Sequence, residues 1–145
     1  MSRSKDYAIL RSTLYISKSQ IVFSELEHRA SSIVNFSKSW NAAVGITGAL
    51  VFTEYHFVQF IEGPAAAVAD LLAKLRLDRR HTDMNVIEEA QPLQRQFGKW
   101  SLAYSGPDTY IDRELIPLLQ SQSVRSRPDT ARQLKALLQS MADNQ

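Results

Sequence analysis

Cysteine is absent from this chain of 145 residues. Without thiols, the protein has no disulfide framework, no thiolate metal site and no cysteine nucleophile. The absence suits a reducing compartment, and the segment 1–6 leads into a predicted strand rather than an apolar signal segment. We therefore expect the protein to be cytoplasmic.

Long apolar runs are absent too, because no stretch approaches the roughly 18 residues of a membrane-spanning helix. The formal net charge is only +2, and the main basic cluster, 76–81, is interrupted by Asp78. Nucleic-acid binding usually needs a longer basic stripe with interleaved aromatic residues. The sequence therefore predicts neither a membrane protein nor a nucleic-acid-binding protein.

The motifs of common catalytic sites are also missing. His28, His56 and His81 do not have metal-ligand spacing. The chain contains no Gly-x-Ser-x-Gly elbow, no Walker loop and no Gly-x-Gly-x-x-Gly turn. Adjacent Glu88 and Glu89 would point to opposite faces of a strand, which disfavours an acid–base pair. We expect a protein that is not an enzyme.

What the chain does contain is the alternation and periodicity of one α+β domain. Strands are predicted at about 8–17, 46–53, 56–62, 84–89 and 100–104, and helices at about 24–39 and 64–75. This βαββαβ order with a fifth strand predicts a ferredoxin-like fold with a mixed sheet.

Two further helices are predicted near the C-terminus, one around Pro117 and one opened by Pro128 and Asp129. Because the strands carry apolar residues on both faces, the sheet needs cover on both sides. We expect the C-terminal pair to cover the face that the first two helices leave open. The expected organisation is a binding domain at 1–107 and a helical extension at 108–145, packed on the same domain.

Three uncharged polar residues stand out against this apolar background. Gln59 lies in mid-strand on the same face as Phe57 and Ile61, where an amide is costly to bury without a hydrogen-bond partner. Adjacent first and third strands would bring Tyr15 beside it, and Asn41, just past the first helix, can close over the same edge. Each residue alone also has an ordinary structural explanation, so the partner is either the protein itself or a flat, polar ligand.

Over residues 7–107 the sequence resembles the BLUF domain family, the flavin-binding blue-light sensors. The resemblance depends on Tyr15 within Leu-Tyr-Ile-Ser, on Asn41 ahead of Gly-Ile-Thr-Gly at 45–48, and on the segments 57–63, 78–81 and 97–101. It implies a photoreceptor with bound FAD, with FMN or riboflavin as alternatives.

The resemblance also implies residue roles. Tyr15 would give an electron and a proton to the excited flavin. Gln59 would bridge Tyr15 and the flavin edge, with its amide rotating or tautomerising. Asn41 would hold the C4 carbonyl and N3–H side of the ring, and Trp100 would be a competing electron donor if it turned inward.

The remaining implied ligands lie on the first two predicted helices and in the segment that follows the second helix. Arg80 would reach the C2 carbonyl end of the ring, with Asp78 and His81 near the ribityl chain and phosphate. Ile33 and Leu75, one from each helix, would lie on opposite sides of the ring. Ser37 would brace the amide network.

Two positions depart from the family pattern. Leu102 stands where many relatives have Met, and it lacks the polarizable sulfur. Trp40 precedes Asn41 where a polar His or Asn is expected, and it can cover the flavin edge or introduce another electron donor.

The resemblance leaves the output of the protein open. We expect signalling through changed contacts with an unidentified protein partner or within a homo-oligomer. A flavin-dependent oxidoreductase and a ferredoxin-like interaction module without flavin remain the alternatives.

Overall fold

The computed structural model describes residues 9–21, 26–105, 108–117 and 127–143. The elements in chain order are β1 (Leu10–Ser19), α1 (Leu26–Val44), β2 (Thr47–Phe52), β3 (His56–Pro64), α2 (Ala65–Leu77), β4 (His81–Ala90), β5 (Trp100–Ser105), a π-helical segment (Tyr110–Leu115) and α3 (Arg127–Asp143). This order confirms the predicted α+β fold. Within these ranges, no helix has both the length and the apolar character needed to cross a membrane.

The five strands form one mixed sheet in the order β4-β1-β3-β2-β5. Strands β2 and β3 form a hairpin around 54–55, which Thr53 closes by donating its backbone N–H to the carbonyl oxygen of His56 at 2.9 Å. Strand β1 pairs antiparallel with β3, and the register sets Tyr15 directly opposite Gln59. The predicted adjacency of the first and third strands is therefore confirmed. Strand β5 pairs with β2 in parallel.

The sheet buries apolar side chains on both faces. The face toward α1 and α2 carries one cluster of buried side chains: Ile46, Leu50, Phe52, Phe57, Ile61, Val68, Leu72 and Trp100. On the opposite face, a second cluster of buried side chains joins the sheet to the C-terminal helices. Its members are Leu14, Ile16, Ala49, Val51, Val58, Phe60, Ile87, Phe97, Ala103, Ile111, Ile116, Ala131, Leu134 and Leu138. The C-terminal helices therefore cover the second face, as predicted.

The end of α1 differs from the sequence prediction, which stopped the helix near Ser39 and placed Asn41 beyond it. The helix continues to Val44, so Asn41 lies in its last turn. Apolar periodicity fades after Ser39, but the stop signal is Gly45, whose φ of 77° is a left-handed conformation that favours glycine. The N–H of Ile46 donates to the carbonyl oxygen of Asn41 at 2.8 Å, as in a Schellman motif. Ser24, which begins a Ser-x-x-Glu pattern typical of a helix start, lies outside the described residues.

Strand β4 also extends beyond its predicted bounds, beginning at His81 rather than Met84. Its first residues are polar, so hydrophobic patterning does not identify them as part of a strand. They nevertheless pair with β1, His81 with Ser19 and Thr82 with Lys18. In a strand at the edge of the sheet, exposed polar side chains are expected.

The β2–β3 turn is attached to the π-helical segment by a polar cluster. The carboxylate of Asp112 accepts hydrogen bonds from Thr53 Oγ1 and from Nδ1 of His56, the latter at 2.7 Å. Both members of the His56–Asp112 pair are largely buried. This contact fixes the start of the C-terminal extension against one end of the sheet.

Candidate functional site

A cavity lies between the sheet and helices α1 and α2. It holds about 710 Å³ of atom-free space, including the part open to solvent. Its lining residues are Tyr15, Phe36, Ser37, Trp40, Asn41, Leu50, Phe52, Phe57, Gln59, Leu71, Lys74, Leu75, Asp78, Arg80 and His81. Apolar and aromatic side chains with a few convergent polar groups make up this lining, as in small-molecule sites.

Most of the residues singled out in the sequence meet at this cavity. Those in its lining are Tyr15, Ser37, Asn41, Gln59, Leu75, Asp78, Arg80 and His81. Trp100 lies behind the wall and reaches the site through Gln59. The backbone of Ile33 belongs to α1, but its side chain is outside the described part of the structure.

A buried chain of three side chains forms the polar centre of the cavity. Gln59 Nε2 donates to Tyr15 Oη at 2.6 Å, and Trp100 Nε1 donates to Gln59 Oε1 at 3.1 Å. The indole N–H is a donor only, so the amide must present its oxygen to Trp100 and its nitrogen to Tyr15. The phenol therefore acts as acceptor, and its own proton is left to be donated to another group.

The position of Trp100 depends on the close approach of two strands. Its partner on β2 is Gly48, whose φ is 144°. A Cβ atom at Gly48 would lie 1.9 Å from the carbonyl oxygen of Phe60, so only glycine fits here without displacing backbone. This glycine allows β2 to approach β3 and pair with the start of β5.

Tyr15 is 1% exposed. Burial raises its pKa well above the ordinary value, and the hydrogen bond from Gln59 offsets only part of that effect. A phenolate is therefore strongly disfavoured in the cavity. Burial also disfavours the charged radical cation, so oxidation of Tyr15 would favour release of its proton.

Asn41 supplies a buried amide whose oxygen has no partner among the residues that the structure describes. The residue is 2% exposed, and its Oδ1 makes no hydrogen bond among the described residues. A buried acceptor left unpaired costs about 1–3 kcal/mol, so such a group calls for an explanation. A ligand N–H in the cavity would satisfy it. Ser37, one turn earlier on α1, also lines the cavity.

His81 forms part of the wall between Tyr15 and Phe57. Its Nε2 lies 2.5 Å from the carbonyl oxygen of Leu75, so this nitrogen carries the proton and donates. In the neutral ring, Nδ1 accepts from Ser17 Oγ at 2.6 Å. Both ring nitrogens are thus engaged by protein atoms.

Asp78 and Arg80 form an ion pair at the end of α2. Arg80 donates from its backbone N–H and from Nε to Asp78 Oδ1, each at 2.9 Å. Burial alone would raise the pKa of Asp78, but the hydrogen bonds and charge of Arg80 outweigh it and lower that pKa. Asp78 correspondingly raises the pKa of Arg80. The pair is half-buried, and Nη1 of Arg80 takes no part in it.

Several lining residues were not identified from the sequence as site residues: Phe36, Leu50, Phe52, Phe57, Leu71 and Lys74. Strand alternation was the available signal for Phe57, which shares a face with Gln59. Phe36 lies one turn before Trp40 on α1, and Lys74 precedes Leu75 on α2. Helical spacing alone could not distinguish these two from ordinary surface residues.

Comparisons with known proteins identify the family of this chain. The family model BLUF, described as sensors of blue-light using FAD, matches residues 10–103. The chain therefore belongs to the BLUF family of flavin-binding blue-light sensors.

Named relatives include the photoactivated adenylate cyclase subunit beta of Euglena gracilis, 37% identical over 95 residues, and that of Euglena longa, 35% identical over 94 residues. These alignments cover 64% of this chain but only 11% of each relative. The chain thus spans about a tenth of the length of these curated relatives.

Solved structures of similar fold include shorter proteins. BlrB, a BLUF protein in its dark state, is 28% identical, with a TM-score of 0.67 and coverage of 90% of this chain and 98% of BlrB. BlsA in its photo-activated state has a TM-score of 0.71 at 19% identity, covering 89% and 94% of the two chains, and supports the fold alone.

The cavity residues fit a flavin. The Oδ1 of Asn41 offers an unpaired acceptor for a ring N–H, and the phenol proton of Tyr15 is available for donation. Apolar walls from the sheet and from Leu71 and Leu75 suit a flat aromatic ring.

Proposed function

We propose that this chain senses blue light through the Tyr15–Gln59–Trp100 hydrogen-bond chain, with FAD in the cavity. A bound flavin supplies the absorption of blue light and an excited state that accepts an electron. The proposal rests on one observation, the 2.6 Å contact from Gln59 Nε2 to Tyr15 Oη in a cavity wall. Tyr15 is the proposed donor of the electron and its accompanying proton, since burial disfavours a separated charge.

Gln59 is the proposed switch because its amide has two distinguishable orientations. In the present orientation, Oε1 accepts from Trp100 and Nε2 donates to Tyr15. Rotation or tautomerisation would present an acceptor to Tyr15, which would then donate. After rotation, the amide N–H would meet the indole N–H, and two donors cannot pair. Trp100 would have to shift, so the change at Gln59 would reach β5.

The remaining residues have proposed holding roles. Asn41 would hold the ring edge, with Ser37 bracing it, and Ile33 and Leu75 would enclose the ring. Arg80, supported by Asp78, would reach the C2 carbonyl end. His81 would contact the ribityl and phosphate side through its ring, since its nitrogens already have protein partners.

Strand β5 offers a route for the output. Leu102 packs with the cavity-side cluster, whereas Ala103 packs with Ile111 and Leu134 on the opposite face. A shift at Trp100 would therefore change the support of the C-terminal helices. We propose that 1–107 form the light-sensing unit and 108–145 the responding extension, which acts on a partner protein or a second copy rather than by catalysis, in the cytoplasm.

One absorption experiment tests the sensor. The purified protein should be yellow, and blue light should shift its bands reversibly to the red. Tyr15→Phe should keep flavin binding and abolish the shift, while Tyr55→Phe, an exposed control, should retain it. A normal light cycle in Tyr15→Phe would contradict the assigned donor.

Other outcomes would favour other functions. Steady NADH oxidation in the dark would indicate a flavin-dependent oxidoreductase, and colourless protein that does not take up flavin would indicate an interaction module without flavin. A light-versus-dark pull-down together with sedimentation would test the proposed partner and homo-oligomer.

A further inference from the structure

At the rim of the cavity, an aromatic pair on α1 faces a lysine of α2. Phe36 lines the cavity yet is 67% exposed, so it lies where the cavity meets solvent. The rings of Phe36 and Trp40 are nearly parallel, at 5°, with centroids 6.5 Å apart. Lys74 Nζ lies 3.3 Å from the centroid of the Trp40 ring, a cation–π contact between the two helices.

The charge at this rim is uneven. Arg80 is neutralised by Asp78, whereas Lys74 forms no ion pair with a carboxylate in the described part of the chain. Its positive charge is therefore available to an anionic portion of a bound ligand that extends out of the cavity. A flat apolar ring beside an uncompensated ammonium suits a ligand portion that combines phosphate with an aromatic base.

We propose that Phe36, Trp40 and Lys74 form a subsite for the adenosine diphosphate portion of FAD. This inference rests on the proposed function, because the flavin ring must occupy the cavity first. The exposed ring of Phe36 stacks with adenine, Trp40 supports the stack, and Lys74 neutralises phosphate. FMN carries the same ring and a phosphate but has no adenine, so the subsite makes the protein selective for FAD over FMN.

The selectivity is measurable as a ratio of dissociation constants. Flavin-free protein is titrated with FAD and with FMN at one ionic strength, by calorimetry or flavin fluorescence. Because base–aromatic stacking typically strengthens binding by about tenfold or more, FAD should bind at least about tenfold more tightly than FMN. Phe36→Ala and Trp40→His should each bring the ratio toward one. Lys74→Gln should weaken both ligands by similar factors, since both carry phosphate.

Tyr55→Ala is the matched control, because Tyr55 is an exposed aromatic residue outside the cavity lining and should leave the ratio unchanged. Equal affinities of the native protein for FAD and FMN would overturn the subsite while leaving the sensor proposal intact. Failure to bind either flavin would instead overturn the sensor proposal itself. If Phe36→Ala converts an oligomer to a monomer and leaves the ratio unchanged, the aromatic pair is an interface between copies, and the subsite is refuted.

Discussion

The two faces of the sheet are built from the same strands but differ in how their space is used. On β3, Val58 and Phe60 point into a cluster that the C-terminal helices fill with apolar side chains. Phe57 and Gln59 point to the other face, where a cavity separates sheet from helices. Successive side chains of β3 thus serve different roles, core packing on one face and the cavity wall on the other. The filled face can therefore supply the stability that the face with the cavity lacks.

Two phenylalanines on β3 offer the strongest test of this division. Phe60 is 1% exposed and packs 5.3 Å from the ring of Phe97, measured between centroids. Phe60→Ala should lower the free energy of unfolding by about 3–5 kcal/mol, because it opens a void in a filled core. Phe57→Ala should cost less, since the ring borders space that is already free of atoms. Urea denaturation of flavin-free protein measures both.

Flavin titration of the same two variants tests whether only one face binds the ligand. Phe57→Ala should lose flavin affinity, and Phe60→Ala should retain it where the protein is still folded. Equal destabilisation by the two substitutions would mean that the cavity face is packed as tightly as the other.

Substitutions of two buried polar residues, one on each face, should have effects of intermediate size on stability. Glu62 shares a face with Phe60 and accepts from the backbone N–H groups of Gln96 and Phe97, at 2.7 and 2.6 Å. Glu62→Ala would leave those amides unpaired and should cost about 1–3 kcal/mol of stability. Asn41→Ala removes an oxygen that has no partner in the described part of the chain, so the stability of the flavin-free protein should change by less than about 1 kcal/mol.

For flavin affinity, the order of the two variants should be the opposite of their order for stability. Asn41→Ala should weaken flavin binding by about tenfold, since a ring N–H loses its acceptor. A stable Glu62→Ala protein should bind flavin nearly as well as the native chain. Unchanged flavin affinity in Asn41→Ala would remove that amide from the site.

The smallest expected effect is a loss of stability at alkaline pH. In the unfolded chain the phenol of Tyr15 ionises near its ordinary pKa of 10.0, whereas burial raises the pKa in the folded protein. The stabilisation is therefore complete below about pH 10 and declines as pH rises toward the folded pKa. Between about pH 9 and about pH 11, Tyr15→Phe should lose about 1 kcal/mol less stability than the native protein. Tyr55→Phe is the control for an exposed phenol, and equal losses in all three proteins would show that Tyr15 ionises freely.

Much of the site could be predicted from sequence because its signals are local. The alternation around Gln59 shows which neighbours share its face, and the strand order expected of a ferredoxin-like fold brings Tyr15 beside it. The position of Asn41 was less well predicted, since the end of α1 depends on the turn at Gly45 rather than on apolar periodicity.

The bond from Trp100 to Gln59 was not predictable in the same way. It requires β5 to lie parallel to β2, and it requires Gly48 opposite Trp100, whose role becomes visible only when the carbonyl oxygen of Phe60 is in place. The Trp40–Lys74 contact likewise joins two helices whose packing angle no local pattern specifies.

Short-range periodicity and residue order were enough to predict the main strands and helices, the face on which each strand residue lies and the resemblance to the BLUF family. They did not predict the end of α1 or the start of β4. Tertiary packing sets the orientation of the Gln59 amide toward Tyr15 and leaves a cavity between sheet and helices. It also leaves Asn41 Oδ1 without a hydrogen-bond partner among the described residues. Those features depend on distances between segments far apart in the chain, which are set when the two faces of the sheet are packed.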